Sequence, residues 1–148
     1  MAVMNTIIIL CDANQDDRQL IEQSRKLVME KTAQTYLLHV AASDPEFVGY
    51  EVGPQHERDW RAELLRTEHR LLQNMSKELR DDGFNAHALL VQGDKIDLIL
   101  KEVINLNADL LIVGNHNKGL LERFVVGSTT DTLVHQLEMP ILVIPSKS

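Results

Sequence analysis

Short runs of aliphatic residues alternate with longer amphipathic stretches along this chain. Five of the runs are rich in β-branched residues and predict buried strands, at residues 6–11, 35–40, 86–91, 108–113 and 141–144. Apolar positions at helical spacing predict helices over about 16–31, 55–80 and 129–137, and another that bears Ile96, Ile99, Leu100, Val103 and Ile104. Residues 43–54 contain two prolines and two glycines without a clear period, which predicts a surface loop.

Local signals mark the ends of several elements. Asp16 and Asp17 lie where a helix follows the first strand, and acidic side chains are favourable at the positive end of a helix. Gly83 predicts a C-cap for the long second helix, and Asp94 predicts an N-cap for the next one. The long helix should bury one apolar stripe, which comprises Trp60, Leu64, Leu71, Leu72, Met75 and Leu79.

The alternation of strands and helices predicts an α/β fold of the doubly wound, Rossmann-like kind. Its five-stranded parallel sheet would be covered on both faces by about four helices. With 148 residues and no internal repeat or linker, residues 1–148 are expected to form a single domain. Ligands bind such sheets beyond the carboxyl ends of the strands, where the winding reverses, so a site is expected after Cys11, Val40, Val91 or Val113.

Composition and charge narrow the range of partners. A net charge of −7 argues against broad binding to nucleic acid or to anionic membranes, which both require clustered Lys and Arg. No stretch approaches the roughly 18 apolar residues of a membrane helix, and the first residues lack the pattern of a signal peptide, so a cytoplasmic protein is expected. Cys11 is the only cysteine, and beside an apolar run it is interpreted as a small buried residue.

The candidate chemistry lies after the fourth predicted strand. Gly114 follows that strand directly, and a glycine there lets backbone amides approach a ligand closely. Gly127, Ser128 and Thr129 then open a predicted helix, so that amides at its positive end and two hydroxyls could bind phosphate oxygens. The segment 114–129 is therefore a candidate phosphate site.

Two familiar phosphate motifs are absent, and a plainer interpretation stays open. Gly119 is not followed by the Lys-Ser/Thr of a P-loop, and no Gly-x-Gly-x-x-Gly follows the first strand. On spacing alone, the glycines could merely turn the chain, while Ser128 and Asp131 could form a capping box for a helix. The sequence has no cluster of Asp, Glu and His at ligand spacing that would predict a dedicated metal site.

The same segment resembles the nucleotide motif of the universal stress protein family. In that motif a glycine is followed after two residues by a second glycine, and after nine more by a glycine and a Ser or Thr. Gly114 matches the first position, Gly127 and Ser128 match the last pair, and Asn117 occupies the position of the second glycine. Asn is the non-glycine residue that best tolerates left-handed backbone geometry.

The resemblance extends over the chain. Residues 8–12 resemble the first strand of the family with its terminal Asp, 37–40 the second strand, and 108–114 and 140–144 the last two. Where the family usually has Asp-x-Ser after the first strand, this chain has Asp, Ala and Asn at 12–14. The resemblance implies the universal stress protein version of the Rossmann-like fold.

The resemblance also implies a ligand and the residues that bind it. In ATP-binding members the Asp after the first strand lies near the nucleoside, and the backbone at the end of the second strand pairs with adenine, which implies Asp12 and Val40 here. The residues implied for the phosphates are Gly114, His116, Asn117, Gly127, Ser128 and Thr129. Mg²⁺ would arrive mainly with the nucleotide. His39 and His135 are expected to pack at the ends of elements.

Three functions remain as hypotheses from the sequence. The first is an ATP-binding sensor or regulator in stress response, with no catalytic residues assigned because no oriented nucleophile and charge-stabilising set can be named. The second is a nucleotide-free scaffold that acts through protein contacts, and the third is a slow ATP hydrolase or phosphotransferase. The resemblance further implies a homodimer built through Ile141–Ile144, which would cover an aliphatic edge strand.

Overall fold

The computed structural model describes residues 5–41, 55–117 and 139–145. In this part of the chain, strands and helices alternate as the hydrophobic pattern predicts. The elements are β1 (Thr6–Leu10), α1 (Asp16–Leu27), β2 (Gln34–Ala41), α2 (Gln55–Asp81), β3 (Asn85–Gln92), α3 (Lys95–Leu106), β4 (Leu110–Gly114), a 3₁₀ turn (Asn115–Asn117) and β5 (Ile141–Ile144). The predicted loop at 43–54 and the predicted helix at 129–137 lie outside the described residues.

The five strands form one parallel sheet in the order β3-β2-β1-β4-β5. The central strand β1 pairs with β2 from Thr6 to Leu10 and with β4 from Ile7 to Ile9. Every residue from Ile7 to Leu10 is fully buried, as expected for the middle strand of a sheet that is covered on both faces. The predicted five-stranded parallel α/β fold is therefore confirmed.

Alternate residues of the strands build two separate hydrophobic cores. Ile7 and Ile9 face the layer of α1 and α2, where they share a core with Leu20 and Leu72. The other face packs against α3 through a second core that comprises Ile8, Leu10, Leu38, Val40, Ile96, Ile99, Leu100, Val103, Leu111 and Val113. Helices thus cover both faces, and the carboxyl ends of the strands are left at one edge of the layers.

Both predicted caps are present. Gly83 has a φ of +95°, and its N–H donates to the C=O of Arg80 while Phe84 N–H donates to Leu79 C=O, which is the Schellman arrangement. The carboxylate of Asp94 accepts the N–H of Asp97 at 3.0 Å at the start of α3. These caps determine where α2 ends before β3 and where α3 begins after β3.

Helix α1 is shorter than the pattern predicts. It ends at Leu27, four residues before the predicted position 31, because the chain tightens there. The C=O of Ser24 accepts the N–H groups of both Val28 and Met29 at 3.0 Å. This turn buries the side chain of Met29 against the sheet instead of continuing the helix.

The predicted apolar stripe of α2 is only half buried. Leu72, Met75 and Leu79 are buried, whereas Trp60 is 63% exposed and Leu64 is 40% exposed, so the prediction is wrong for the first part of the helix. The reason is length: 27 helical residues span about 40 Å, whereas the eight residues of β2 span about 26 Å. The start of α2 therefore extends past the carboxyl edge of the sheet.

Within the described segments, no helix is both long enough and apolar enough to cross a membrane.

Candidate functional site

The candidate site lies where the winding of the sheet reverses. From the central strand β1 the chain passes through α1 to β2 on one side, while from β4 it leads towards β5 on the other. The two strands are neighbours, with Ile9 level with Ile112, although they are far apart in the sequence. Since the connections from β1 and β4 depart in opposite directions, a crevice forms above their carboxyl ends.

Asp12 and His116 meet across this crevice. Asp12 follows β1, His116 lies in the 3₁₀ turn after β4, and the Nε2 of His116 donates a hydrogen bond to the Oδ2 of Asp12. The side chain of Asp12 is 22% exposed and that of His116 is 46% exposed, so the contact can be reached from solvent. The structure therefore joins the predicted nucleoside residue to one of the predicted phosphate residues.

Gly114 makes room for the imidazole of His116. A Cβ atom at position 114 would lie 2.6 Å from Cε1 and 2.9 Å from Nδ1 of that ring. No real Cβ contact is so short, so any larger residue here would push the ring away from Asp12. In this structure the group that lies against Gly114 is a side chain of the turn that follows it, while the predicted approach of a ligand to its backbone stays a prediction.

Asn117 ends the 3₁₀ turn and brings a cation to the site. Its Oδ1 accepts a hydrogen bond from Nζ of Lys95 at 3.4 Å, and its Nδ2 lies 3.4 Å from Nε2 of His116. The turn is right-handed, so Asn117 does not need the left-handed geometry that its glycine-like position suggested. Lys95, the first residue of α3, is a site residue that the sequence analysis missed.

The loop between β1 and α1 is organised by Asp17. Its Oδ1 accepts the N–H of Asp12 at 2.9 Å, and its Oδ2 accepts the N–H groups of Ala13 at 2.8 Å and Asn14 at 3.2 Å. Ala13 has a φ of +60°, a left-handed conformation that is uncommon for a residue with a side chain. Asp17 is 2% exposed, so this carboxylate is an internal part of the loop and not merely an acidic residue at a helix start.

Burial dominates the ionisation of two groups beneath the crevice. Desolvation raises the pKa of Asp17, and the charge of Asp12 raises it further, while the three backbone N–H groups act in the opposite direction. The pKa of the Cys11 thiol is raised well above its ordinary value by desolvation and then by the nearby Asp17 and Asp12. Cys11 is fully buried and protonated, in agreement with its predicted role as a small core residue.

Val40 presents its backbone beside the end of β1. On one side of β2, the C=O of Leu38 accepts the N–H of Cys11 at 2.7 Å, and on the other the C=O of Ala41 accepts the N–H of Gly93 at 3.0 Å. Backbone groups point alternately to the two sides of a strand, so the N–H and C=O of Val40 face the β1 side. They lie beyond the last β1–β2 pair, whose β2 residue is Leu38.

His39 ties the end of β2 to α2 beside the site. Its Nδ1 lies 3.0 Å from the C=O of Cys11, and its Nε2 lies 3.0 Å from Oε2 of Glu68. Both partners are acceptors, so a ring nitrogen that carries a proton donates to the partner beside it. His39 is buried near the strand end, as predicted, and it borders a cavity of about 240 Å³ that Val40 and Leu64 also line.

A second cavity opens on the β4 side of the crevice. Its volume is about 250 Å³, and its lining includes Gly114, His116, Asp16 and Ile144. The carboxyl ends of β2, β1 and β4 thus bring together five of the predicted residues, namely Asp12, Val40, Gly114, His116 and Asn117. The remaining predicted phosphate residues, Gly127, Ser128 and Thr129, lie outside the described residues, as does His135.

The raised pKa of Asp17 leads to a prediction about stability. Between the ordinary carboxyl value near 3.8 and the raised folded value, the folded chain binds more protons than the unfolded chain. The part of the Asp17 contribution to the free energy of unfolding that depends on protonation is therefore fully present below pH 3.8 and is lost as the pH rises through its folded pKa. Urea unfolding at a series of pH values measures this effect. The free energy of unfolding of the wild type minus that of Asp17→Asn, whose residue 17 cannot titrate, should fall with rising pH.

Gln15→Ala provides the control, because it changes an exposed and uncharged residue of the same loop. Its difference from the wild-type chain should stay constant across this pH range. A wild-type advantage over Asp17→Asn that grows with rising pH would mean that the amide bonds, and not burial, set the pKa.

Known proteins resemble this chain in sequence. The universal stress protein MJ0577 of Methanocaldococcus jannaschii is 28% identical over 94 residues, a match that covers 64% of this chain and 58% of that protein. Universal stress protein A homolog 2 of Coxiella burnetii is 26% identical over 95% of this chain and 93% of its own.

Solved structures also resemble this chain. That of MJ0577 superposes with a TM-score of 0.70 at 24% identity and covers 99% of each chain. An Arabidopsis thaliana family member with AMP bound has a TM-score of 0.64 at 20% identity, with 97% of this chain and 93% of that one covered. The profile of the universal stress protein family matches residues 4–145, and the chain therefore belongs to the universal stress protein family.

Proposed function

We propose that this chain binds ATP and acts as a nucleotide-dependent sensor or regulator in stress response, with little or no dedicated catalysis. The observation that carries the proposal is the meeting of Asp12 with the turn that follows β4. A carboxylate and the turn that follows Gly114 converge at the edge of a doubly wound sheet where ligands are expected. This convergence brings together residues that are 104 positions apart.

The nucleoside would lie over the ends of β1 and β2. Asp12 offers a partly exposed carboxylate, which is a strong acceptor for two ribose hydroxyls. The N–H and C=O of Val40 lie on the same side of β2 and present a donor and an acceptor, a pair that matches the edge of adenine. The neighbouring cavity of about 240 Å³ gives apolar surface near this edge through Val40 and Leu64.

The phosphates would extend towards the turn after β4. Gly114, His116 and Asn117 supply this end of the proposed site, and Lys95 adds a positive charge through its contact with Asn117. The sequence further assigns Gly127, Ser128 and Thr129 to the phosphates. In a chain with a net charge of −7, an anionic ligand needs such a local concentration of N–H donors and cations.

Related structures support the choice of an adenine nucleotide. The Arabidopsis thaliana family member was solved with AMP, and a universal stress protein with a TM-score of 0.58 at 14% identity was solved with cAMP. Both ligands combine adenine, ribose and phosphate, as ATP does. We propose that Mg²⁺ comes with the nucleotide, since this ion is commonly held by substrate phosphates and only one or two carboxylates.

Calorimetric titration with Mg-ATP tests this proposal. The wild-type chain should bind ATP, and Asp12→Asn should weaken the binding by about tenfold or more, because a hydrogen bond to a charged group is replaced by a neutral one. Asp81→Asn makes the same chemical change at the end of α2, where Asp81 pairs with Lys77, and should leave the affinity unchanged.

The outcomes separate the three hypotheses. No heat of binding at millimolar ATP, together with no nucleotide in native mass spectra of the purified chain, would contradict the proposal and favour a nucleotide-free scaffold. Release of ADP that disappears in Asp12→Ala would instead favour a slow hydrolase.

We also propose that the chain forms a homodimer through β5. This strand is at one end of the described sheet, and its Val143 is 40% exposed. An aliphatic outer strand with unpaired backbone groups favours pairing with a second copy, which would satisfy those groups and cover Val143.

Light scattering tests the dimer. At micromolar concentration the wild-type chain should have twice the mass of one copy, whereas Val143→Lys should have the mass of a monomer because it would place a charged side chain in an aliphatic interface. Ile104→Lys is the matched control, since Ile104 is a 68% exposed aliphatic residue of α3 and not of β5. A wild-type monomer, or a dimer lost equally in both variants, would contradict an interface at β5.

A further inference from the structure

We infer that Asp17 is a positioning residue of the nucleotide site. Its carboxylate fills an anion nest formed by the backbone of the loop between β1 and α1, and it thereby holds Asp12 in the orientation that meets the nucleoside. The inference rests on the proposed binding of ATP, and it adds a residue that does not itself touch the ligand. It also explains why the phosphates of the ligand go to the other side of the crevice.

The geometry of the loop is that of a nest. Three successive N–H groups, those of Asp12, Ala13 and Asn14, converge on the two oxygens of one carboxylate at 2.8 to 3.2 Å. Converging amides beside a left-handed residue form a concavity that binds anions, and Ala13 supplies the left-handed residue with its φ of +60°. In this chain the anion is internal, because the first turn of α1 delivers Asp17 into the concavity.

The filled nest determines where Asp12 points. The direction of a side chain depends on the backbone angles of its own residue, and the carboxylate fixes both the N–H of Asp12 and the peptide that follows it. The left-handed conformation of Ala13 costs about 1 kcal/mol. Without a partner that binds the converging amides, the loop would relax to another conformation. Asp17 supplies that partner through three charge-assisted bonds in a buried setting.

The same carboxylate directs the phosphates away from this loop. In dinucleotide-binding folds the amides after the first strand bind the pyrophosphate. Here the corresponding amides already bind Asp17, and its negative charge adds to that of Asp12. A triphosphate is repelled from the β1 loop, whereas Lys95 and the turn of 114–117 attract it. Asp17 thus orients the ligand, with ribose at Asp12 and phosphates at the β4 side.

The test measures discrimination for the ribose hydroxyls instead of affinity alone. Dissociation constants for ATP and for 2′,3′-dideoxy-ATP are determined by calorimetry for the wild type, Asp12→Asn, Asp17→Asn and the double variant. The wild type should prefer ATP by about tenfold or more, and each single variant should prefer it by less than about threefold. The double variant should lose no more, because both changes remove the same interaction.

A matched control separates positioning from a general loss of stability. Asp94→Asn makes the same substitution at the start of α3, where the carboxylate also accepts a backbone N–H, and it should keep the wild-type preference for ATP. Loss of the preference in Asp94→Asn as well would overturn the inference. A preference that survives in Asp17→Asn would overturn it too, while the proposed function would stand.

Failure of the wild type to bind ATP would overturn both the proposed function and this inference. If Asp17→Asn does not fold, amide hydrogen exchange measured by NMR in the wild-type chain tests the inference instead. The amides of Asp12, Ala13 and Asn14 should exchange at least about tenfold more slowly than free peptide amides. Exchange of these three amides at peptide rates would overturn the inference.

Discussion

The reversal of winding between β1 and β4 is the constraint on which the rest of this structure depends. Because α1 carries the chain from β1 to β2 while α3 returns it from β3 to β4 on the other face, the ends of β1 and β4 lie side by side. Asp12 and His116 therefore meet, although each follows a different buried strand. The two hydrophobic cores hold these strands rigidly, so the crevice above them is set by packing and not by the loops.

An acidic chain can bind an anion only where its cations and N–H groups are free to do so. The groove between α1 and α2 contains Arg18 and Arg25, but Arg18 pairs with Glu78 at 2.7 Å and Arg25 with Asp82 at 3.0 Å. The amides of the β1 loop are likewise engaged, by Asp17. Charge balance within the described residues thus favours the β4 side of the crevice for phosphate.

The fold could be predicted from the sequence because the spacing of hydrophobic residues indicates which positions are buried. The pattern of buried positions in turn distinguishes strands from helices. The caps at Gly83 and Asp94 could also be predicted, because each satisfies backbone groups of its own helix and so depends on the local sequence. Lys95 could not be found in this way, because its link to Asn117 depends on the path of α3 across the sheet. Trp60 was misplaced because the periodicity of a helix does not reveal where the sheet beneath it ends.

The proposed nucleotide site lies across the ends of β2, β1 and β4, and an NMR titration of the ¹⁵N-labelled chain with Mg-ATP tests that placement directly. Chemical-shift changes are expected for the amides of 12–14, 40–41 and 114–117, which surround the crevice, with little change along the groove between α1 and α2. Changes confined to the residues of that groove, such as Arg18 and Arg25, would contradict a nucleotide site at the reversal of the sheet.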